Sequence, residues 1–240
     1  MNILAIDTST SYLSLAVGKD NKVLNSSNVL LEKVLSSSII DRIDKILKKS
    51  RLTLSKIDGF AVGLGPGSFT SLRIGLSTIK AFAFSLDKPI VGIPSLDLIA
   101  QNVAQPKNEG MQICVLSDAR RSLVYSCLYQ VNGRGLKSVM PYHLSPLEDV
   151  LSRIKGDVMF VGDGALLYKE QIKKVLSPQQ ITFANERQSR PEAKNLLLLA
   201  CDRFSKSKID DVRKLFPLYL YPEDCQVDKK SLSQKLGRKI

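Results

Sequence analysis

Tryptophan is absent from this chain of 240 residues, and histidine occurs once, at His143. A single histidine cannot build a two-histidine metal site or a His-Glu-x-x-His motif. The four cysteines form no Cys-x-x-Cys pair, which argues against a zinc ribbon or a thioredoxin-type redox site. They are Cys114, Cys127, Cys201 and Cys225. We therefore expect no metal site, and cysteines that are reduced and structural.

Long apolar runs are also missing, since no stretch reaches the roughly 18 residues that a membrane-spanning helix needs. The first residues carry no basic segment and soon include Asp7, so a secretory signal peptide is not expected. Hydrophobic residues make up 44% of the chain and charged residues 24%, as in ordinary globular proteins. We predict a cytoplasmic protein of one or two folded domains, without a membrane contact.

Acidic residues are outnumbered, with 23 Asp and Glu against 35 Lys and Arg, and the net charge is +12. Such an excess is compatible with a polyanionic partner such as RNA. Between Lys229 and Ile240 there are five cations and no acid. This basic tail is either a solvated end of the chain or a contact to a nucleic-acid backbone, and both interpretations stay open.

The chain begins with an apolar run that ends at Asp7, followed by a hydroxyl-rich turn at 8–11 and a second apolar run at 12–17. This pattern predicts a strand, a turn and a second strand. A similar pattern ends at Asp118, 111 residues later, and continues through a polar turn at 119–122.

A second internal match supports a duplication. Residues 155–164 repeat the pattern of residues 56–65 at an offset of 99. Two matches in the same order predict a duplicated lobe, with a lobe boundary near the polar stretch that starts at residue 105. We expect a first lobe at 1–104, a second at 105–222 and the basic tail at 223–240.

Two long helices are predicted in the first lobe, besides a short one that Ser95 caps and that runs to about Val103. Apolar residues recur at three- and four-residue steps from Leu30 to Leu47, and this helix begins either at Leu30 or at the serines 36–38. A glycine-rich turn with Ser68 as the N-cap opens a second helix that continues to about Leu86. That helix is apolar on more than one face, so it needs cover on both sides. Its interior Gly75 suggests that another backbone or helix approaches closely.

The two predicted hairpin turns are candidate phosphate sites. Turn amides and hydroxyls can donate to phosphate while a carboxylate holds a hydrated cation, and two facing hairpins would hold a nucleotide between the lobes. Aspartates at strand ends are also common turn formers, and this alternative stays open. The candidate residues are Asp7, Thr8, Ser9, Thr10, Asp118, Arg120, Gly162, Asp163 and Gly164.

Motifs for chemistry are scarce. The glycine-rich turn matches neither the P-loop nor the dinucleotide-binding motif, and it is either an anion site at a helix start or a tight packing turn. We find no general base beside a nucleophile and no distinctive carboxylate pair. The sequence therefore favours a binding protein over an enzyme.

Several segments together resemble the bacterial TsaB (YeaZ) family, and the likeness spans nearly the whole chain. The segments are MNILAIDTSTSYLSLAV at 1–17, GLGPGSFTSLRIGL at 63–76, PIVGIPSLDLI at 89–99, DARRSLVYSCLY at 118–129, VGDGA at 161–165 and PLYL at 217–220. The resemblance implies an α/β, actin-like fold (sugar kinase/Hsp70-type, ribonuclease H-like) of two duplicated lobes. This agrees with the repeat found above.

The same resemblance implies a non-catalytic subunit in the synthesis of threonylcarbamoyladenosine (t6A) on tRNA. The implied partners are the paralogue TsaD, which carries the metal and transfers the threonylcarbamoyl group, the ATPase TsaE, and tRNA through the complex. No cofactor is expected on this subunit, although ATP and magnesium can enter the complex. Without TsaD, a homodimer is expected.

The resemblance also implies that the first two helices contact the partner. The expected interface residues are Ser36, Ile39, Ile40, Ile43, Leu47, Leu72, Arg73, Gly75, Leu76, Ile79, Lys80, Phe82 and Ala83. On this interpretation, aspartate at Leu76 or Ile79 would abolish pairing and leave the monomer folded. The alternative function is a small ATP-dependent phosphotransferase of the actin-like class, with Asp7 and Asp118 around magnesium-nucleotide.

Overall fold

The computed structural model describes residues 1–31, 35–105, 108–133 and 135–221, and the basic tail lies outside them. The first half contains β1 (Asn2–Asp7), β2 (Tyr12–Lys19), β3 (Lys22–Leu30), α1 (Leu35–Lys49), β4 (Gly59–Gly63), α2 (Phe69–Ser85), β5 (Ile90–Ile93) and α3 (Ser95–Gln101). The second half contains β6 (Gln112–Asp118), β7 (Leu123–Asn132), β8 (Gly135–Pro146), α4 (Leu147–Leu151), β9 (Val158–Val161), α5 (Asp163–Leu167), α6 (Lys169–Val175), β10 (Ile181–Phe183) and α7 (Ala193–Ser205).

The strands form two five-stranded sheets with the same topology. Their orders are β3-β2-β1-β4-β5 and β10-β9-β6-β7-β8. In each sheet the first three strands in sequence form an antiparallel meander, and the last two add in parallel. The predicted duplication and the actin-like fold class are therefore confirmed.

The first sheet is covered on both faces. Leu4 and Ile6 of β1 belong to the core under α1 and α2, whereas Ile3 and Ala5 face α7. Because successive strand residues point to opposite faces, a strand covered on both sides must be apolar throughout. This explains the uninterrupted apolar run of β1.

The chain crosses back to the first lobe near its end. Leu196 and Leu197 of α7 are fully buried against the first sheet, and the backbone N–H of Asp210 donates to the carbonyl of Ile90 (2.9 Å). Leu215 belongs to the core of the first lobe. The structure therefore differs from the expected division, because residues 193–215 pack on the first lobe and not on the second.

Two strands and one helix start differ from the sequence-based expectation. β3 is rich in serine and asparagine, which have low strand propensity, and it forms because it pairs with β2 along its length. α1 consequently begins at Leu35 and not at Leu30. β8 was likewise not predicted, and it pairs with β7 at the edge of the second sheet.

Candidate functional site

A cleft lies between the carboxyl ends of β1 and β6, and its cavity measures about 850 Å³. The first lobe contributes the turn after β1 and the start of α2, and the second contributes the turn after β6 and the start of α5. The lining residues are Ser9, Thr10, Ser11, Gly67, Ser68, Phe69, Arg73, Ser117, Asp118, Ala119, Arg120, Tyr125, Asp163, Leu218, Tyr219, Leu220 and Tyr221.

Asp7 is fully buried and does not line this cleft. One carboxylate oxygen accepts hydrogen bonds from the backbone N–H (2.9 Å) and the hydroxyl (2.7 Å) of Ser9, and the other accepts from the hydroxyl of Ser95 (2.5 Å). Burial raises the pKa of Asp7, and these hydrogen bonds oppose that shift. The carboxylate thus joins β1, its turn and α3.

Thr8 is also removed from the cleft. Its hydroxyl donates to the carbonyl of Ser71 (2.8 Å), and a Cβ at Gly75 would lie 2.3 Å from the same hydroxyl. Gly75 was expected at the partner interface, but the structure places it against the turn after β1. The close approach inferred from sequence exists, and the approaching group is a side chain of the same lobe.

The second hairpin reaches further toward the cleft than the first. By strand pairing, Val62 and Val161 are equivalent at an offset of 99, and their neighbours Ile6 and Val115 are 109 apart. The offset of 111 inferred from the aspartates is therefore two residues too long. Leu116 occupies the position of Asp7, and Asp118 lies two residues beyond it on the same face.

The two acids of the second lobe are held by local contacts. Asp118 accepts a hydrogen bond from the backbone N–H of Arg120 (3.0 Å) and pairs with its guanidinium (3.5 Å). One oxygen of Asp163 accepts from the Ser117 hydroxyl (2.8 Å) and from the backbone N–H groups of Asp118 (3.2 Å) and Gly164 (2.9 Å). Both side chains still line the cleft.

The two glycines of the second lobe serve packing. A Cβ at Gly162 would lie 2.1 Å from the carbonyl oxygen of Leu116, and one at Gly164 would lie 3.0 Å from the backbone of Ser117. Neither glycine lines the cleft. Both were candidate residues of the nucleotide site, but the structure places their backbone against β6.

Asp7 at the end of β1 is not available to a magnesium-nucleotide in this structure. Asp7, the expected cation ligand of the first lobe, has both oxygens engaged inside the lobe. In the described part of the chain, no group of three or more His, Cys, Asp or Glu side chains is arranged to hold a metal ion. Of the nine candidate residues, Ser9, Thr10, Asp118, Arg120 and Asp163 line the cleft.

Aromatic side chains in the cleft were not identified from the sequence. Phe69 and Tyr219 have ring centres 5.3 Å apart, and Tyr125 and Tyr221 meet edge to face at 6.1 Å. Two of these four residues, Tyr219 and Tyr221, come from the segment near residue 220. The apolar pattern of the sequence did not indicate that Tyr219 and Tyr221 would contact Phe69 and Tyr125.

Most of the expected interface residues are buried within their own lobe. Exposure is 6% or less for the side chains of Ile39, Ile43, Leu47, Leu72, Leu76, Ile79 and Ala83. They form the contact of α1 and α2 with the first sheet, apart from Leu72, which packs near Gly65. The expectation that aspartate at Leu76 or Ile79 leaves the monomer folded is wrong, because it would bury an unpaired charge.

The outer face of α2 remains accessible. Phe69 is 53% exposed and Phe84 is 66% exposed, and Arg73 is exposed between them. Among the other expected interface residues, Ser36 and Ile40 of α1 are exposed, and Lys80 and Phe82 are half-buried. The expected interface residues on α2 therefore lie mostly on its buried face, and the exposed face carries Phe69, Arg73 and Phe84.

Among the described residues, no helix has both the length and the apolar character needed to cross a membrane.

Comparison with known proteins identifies the family. A family model described as "TsaD: tRNA N6-adenosine threonylcarbamoyltransferase" matches residues 30–228. The chain is 32% identical to the tRNA threonylcarbamoyladenosine biosynthesis protein TsaB of Bacillus subtilis, covering 92% of this chain and 94% of the relative. It is 30% identical to TsaB of Escherichia coli, with the same two coverages. The solved structure of YeaZ from Pseudomonas aeruginosa matches with a TM-score of 0.78 at 24% identity, over 91% of this chain and 99% of that one. The chain belongs to the TsaB (YeaZ) family.

Proposed function

We propose that this chain is a non-catalytic subunit in t6A synthesis, and that it pairs with TsaD and supports threonylcarbamoyl transfer to the adenosine beside the anticodon of tRNA. Its family membership supports a role in t6A synthesis. The burial of Asp7 is the observation that supports a non-catalytic subunit. It leaves the strand end of the first hairpin without a carboxylate that could bind a cation or transfer a proton.

The alternative, an actin-like phosphotransferase, needs an acid from each hairpin around magnesium-nucleotide. Asp118 lines the cleft, but Asp7 would have to lose three hydrogen bonds and its place in the core. Leaving buried donors without their acceptor costs about 1–3 kcal/mol each. This argument favours the scaffold over the enzyme.

The proposed contact for TsaD is the outer face of α1 and α2. α2 carries two cations, Arg73 and Lys80, and no acid, and its exposed aromatics flank them. Aromatic and arginine side chains are enriched in the cores of protein interfaces, whereas acids are depleted there. The face therefore fits an apolar partner surface with acidic groups near its centre.

The remaining partners follow from the same proposal. TsaE joins the pair, ATP and magnesium bind elsewhere in the complex, and a homodimer uses the same face when TsaD is absent. We also propose that the basic tail contacts tRNA. Deleting residues 229–240 should then weaken the salt-sensitive part of RNA binding by the complex, measured as the dependence of Kd on salt. Unchanged salt dependence would refute the contact.

The test of pairing uses exposed positions, so that the fold is retained. Phe84→Asp and Ile40→Asp should each weaken TsaD binding by about tenfold or more in titration calorimetry, since each places a charge in an apolar contact. Leu167→Asp is the matched control, because Leu167 is 62% exposed on the second lobe. Wild-type affinity in both helix variants would refute the proposed interface.

A further inference from the structure

Residues 215–221, here called the strap, form neither helix nor strand and run from the first lobe to the second along the cleft. We propose that the strap completes the docking surface for TsaD beside α2, and that docking on it fixes the angle between the two lobes. This inference rests on the proposed pairing with TsaD.

The strap is anchored firmly in the first lobe. The side chain of Leu215 is buried in its core, and the Lys80 ammonium donates to the Leu215 carbonyl (3.0 Å). The backbone N–H of Leu218 donates to the carbonyl of Leu64 after β4 (2.8 Å). These contacts hold both ends of residues 215–218 against the first lobe.

The far end of the strap is anchored in the second lobe. The Tyr221 hydroxyl donates to the carbonyl of Ala119 in the turn after β6 (2.6 Å), and its ring packs edge to face on Tyr125. Leu220 packs on the same apolar cluster. A change in the angle between the lobes would have to break one of the two sets of anchors, so the strap restrains that movement.

The outer side of the strap continues the exposed face of α2. Phe216 is 67% exposed and Tyr219 is 45% exposed. The Arg73 guanidinium lies 3.8 Å from the centre of the Phe69 ring and donates to the Tyr219 hydroxyl (3.1 Å). Two cations of α2 therefore hold the aromatic rings in place, since Lys80 lies 5.3 Å from the centre of the Phe216 ring.

This arrangement identifies the kind of partner surface that fits. Aromatic rings already fixed by neighbours lose little conformational entropy on binding. The two cations, with no acid on α2, complement an apolar surface of TsaD that presents carboxylates. Tyr219 also contacts Phe69 and lines the cleft. A partner bound on this side therefore contacts the strap, which connects the lobes.

The docking part is tested with Phe216→Ala and Tyr219→Ala in the full chain, titrated with purified TsaD. Each variant should weaken binding by about tenfold, as expected for aromatic residues at the centre of an interface. Val175→Ala is the control, because Val175 is 61% exposed on the second lobe. It should bind as the wild type does.

The restraint between lobes is tested by amide hydrogen exchange at residues 119–124. Tyr221→Phe keeps the ring and removes only the hydroxyl that donates to Ala119, so it avoids the risk of a large truncation. Exchange should be faster in Tyr221→Phe and faster still in Tyr221→Ala. TsaD should slow it in the wild type. Exchange unchanged by either variant would overturn the restraint.

The outcomes separate this inference from the proposed function. If the strap variants bind TsaD as the wild type does while Phe84→Asp does not, the strap inference is wrong and the pairing stands. If the wild-type chain does not bind TsaD, the proposed function fails together with the docking part. The inference is supported if the strap variants and Phe84→Asp all bind TsaD more weakly while Val175→Ala binds as the wild type does.

Discussion

At the scale of single residues, the two strand-end aspartates differ in their exposure to the cleft. Asp7 is enclosed, whereas Asp118 lies two residues further along its strand and reaches the cleft. The sequence showed the same local pattern at both places. The difference depends on strand register and on Ser95, which is far from Asp7 in sequence, so local pattern could not reveal it.

Ser95→Ala should lower the free energy of unfolding by about 1.5–3 kcal/mol, the usual loss for a hydrogen bond to a charged group. The Ser95 hydroxyl donates to Asp7 and accepts from the backbone N–H of Gly65, so both partners lose a contact. Ser77→Ala, on the exposed side of α2, is the control and should change stability by less than about 0.5 kcal/mol. Equal urea midpoints for the two variants would contradict this account of Asp7.

Asp7 should also give stability a specific pH dependence. Burial raises its pKa above the ordinary value of 3.8, so the folded chain keeps a proton that the unfolded chain has already lost. The contribution of Asp7 to stability is therefore largest at low pH and decreases as the pH rises through the folded-state pKa. The unfolding free energy of Asp7→Asn, relative to the wild type, should increase from pH 4 to pH 7. A constant difference, or one that falls, would show that the carboxylate is not penalised by burial.

At the scale of elements, α2 shows what an apolar pattern can predict. The pattern correctly indicated a helix with more apolar residues than one face needs. It could not show which stripe meets the sheet, because Leu76 and Ile79 look no different in sequence from exposed Phe84. The elements predicted best were those with strong periodicity, and the polar strand β3 was missed because its residues do not favour strands.

Gly75→Ala tests the contact between α2 and the turn after β1. Alanine normally stabilises a helix interior by about 1 kcal/mol relative to glycine. Here the new methyl group would clash with Thr8, and we expect a loss of about 1–3 kcal/mol, as for overpacked cores. Combining it with Thr8→Ala should recover part of that loss. Stability that rises in Gly75→Ala alone, measured by urea unfolding, would contradict the close contact.

At the scale of the whole molecule, the duplication was predictable and the crossing of the chain was not. Two internal offsets revealed the repeated lobe, and the sheets confirm it. The apolar run at 196–199 is typical of a buried helix, but nothing in its periodicity states which sheet that helix covers. That choice depends on contacts with β1 and β2, which are more than 170 residues earlier in the sequence.

Leu197→Ala tests this placement. The change removes a fully buried side chain from the first lobe and should cost about 2–5 kcal/mol. Amide exchange should become faster in β1 and β2 before it does in β6 and β7, because α7 packs on the first sheet. Tyr168→Ala in the second lobe is the comparison, and it should affect β9 and its neighbours first. Faster exchange confined to the second sheet in Leu197→Ala would contradict the crossing.

The central claim is that this chain acts by docking and not by chemistry in its cleft. The most direct measurement is t6A formation on tRNA by the reconstituted chain, TsaD and TsaE, with ATP and threonylcarbamoyl donor supplied. Asp118→Asn combined with Asp163→Asn should leave modification near the wild-type rate, whereas Phe84→Asp should reduce it about tenfold when the subunits are more dilute than the wild-type Kd. Loss of modification in the cleft variant, with normal activity in Phe84→Asp, would contradict the account.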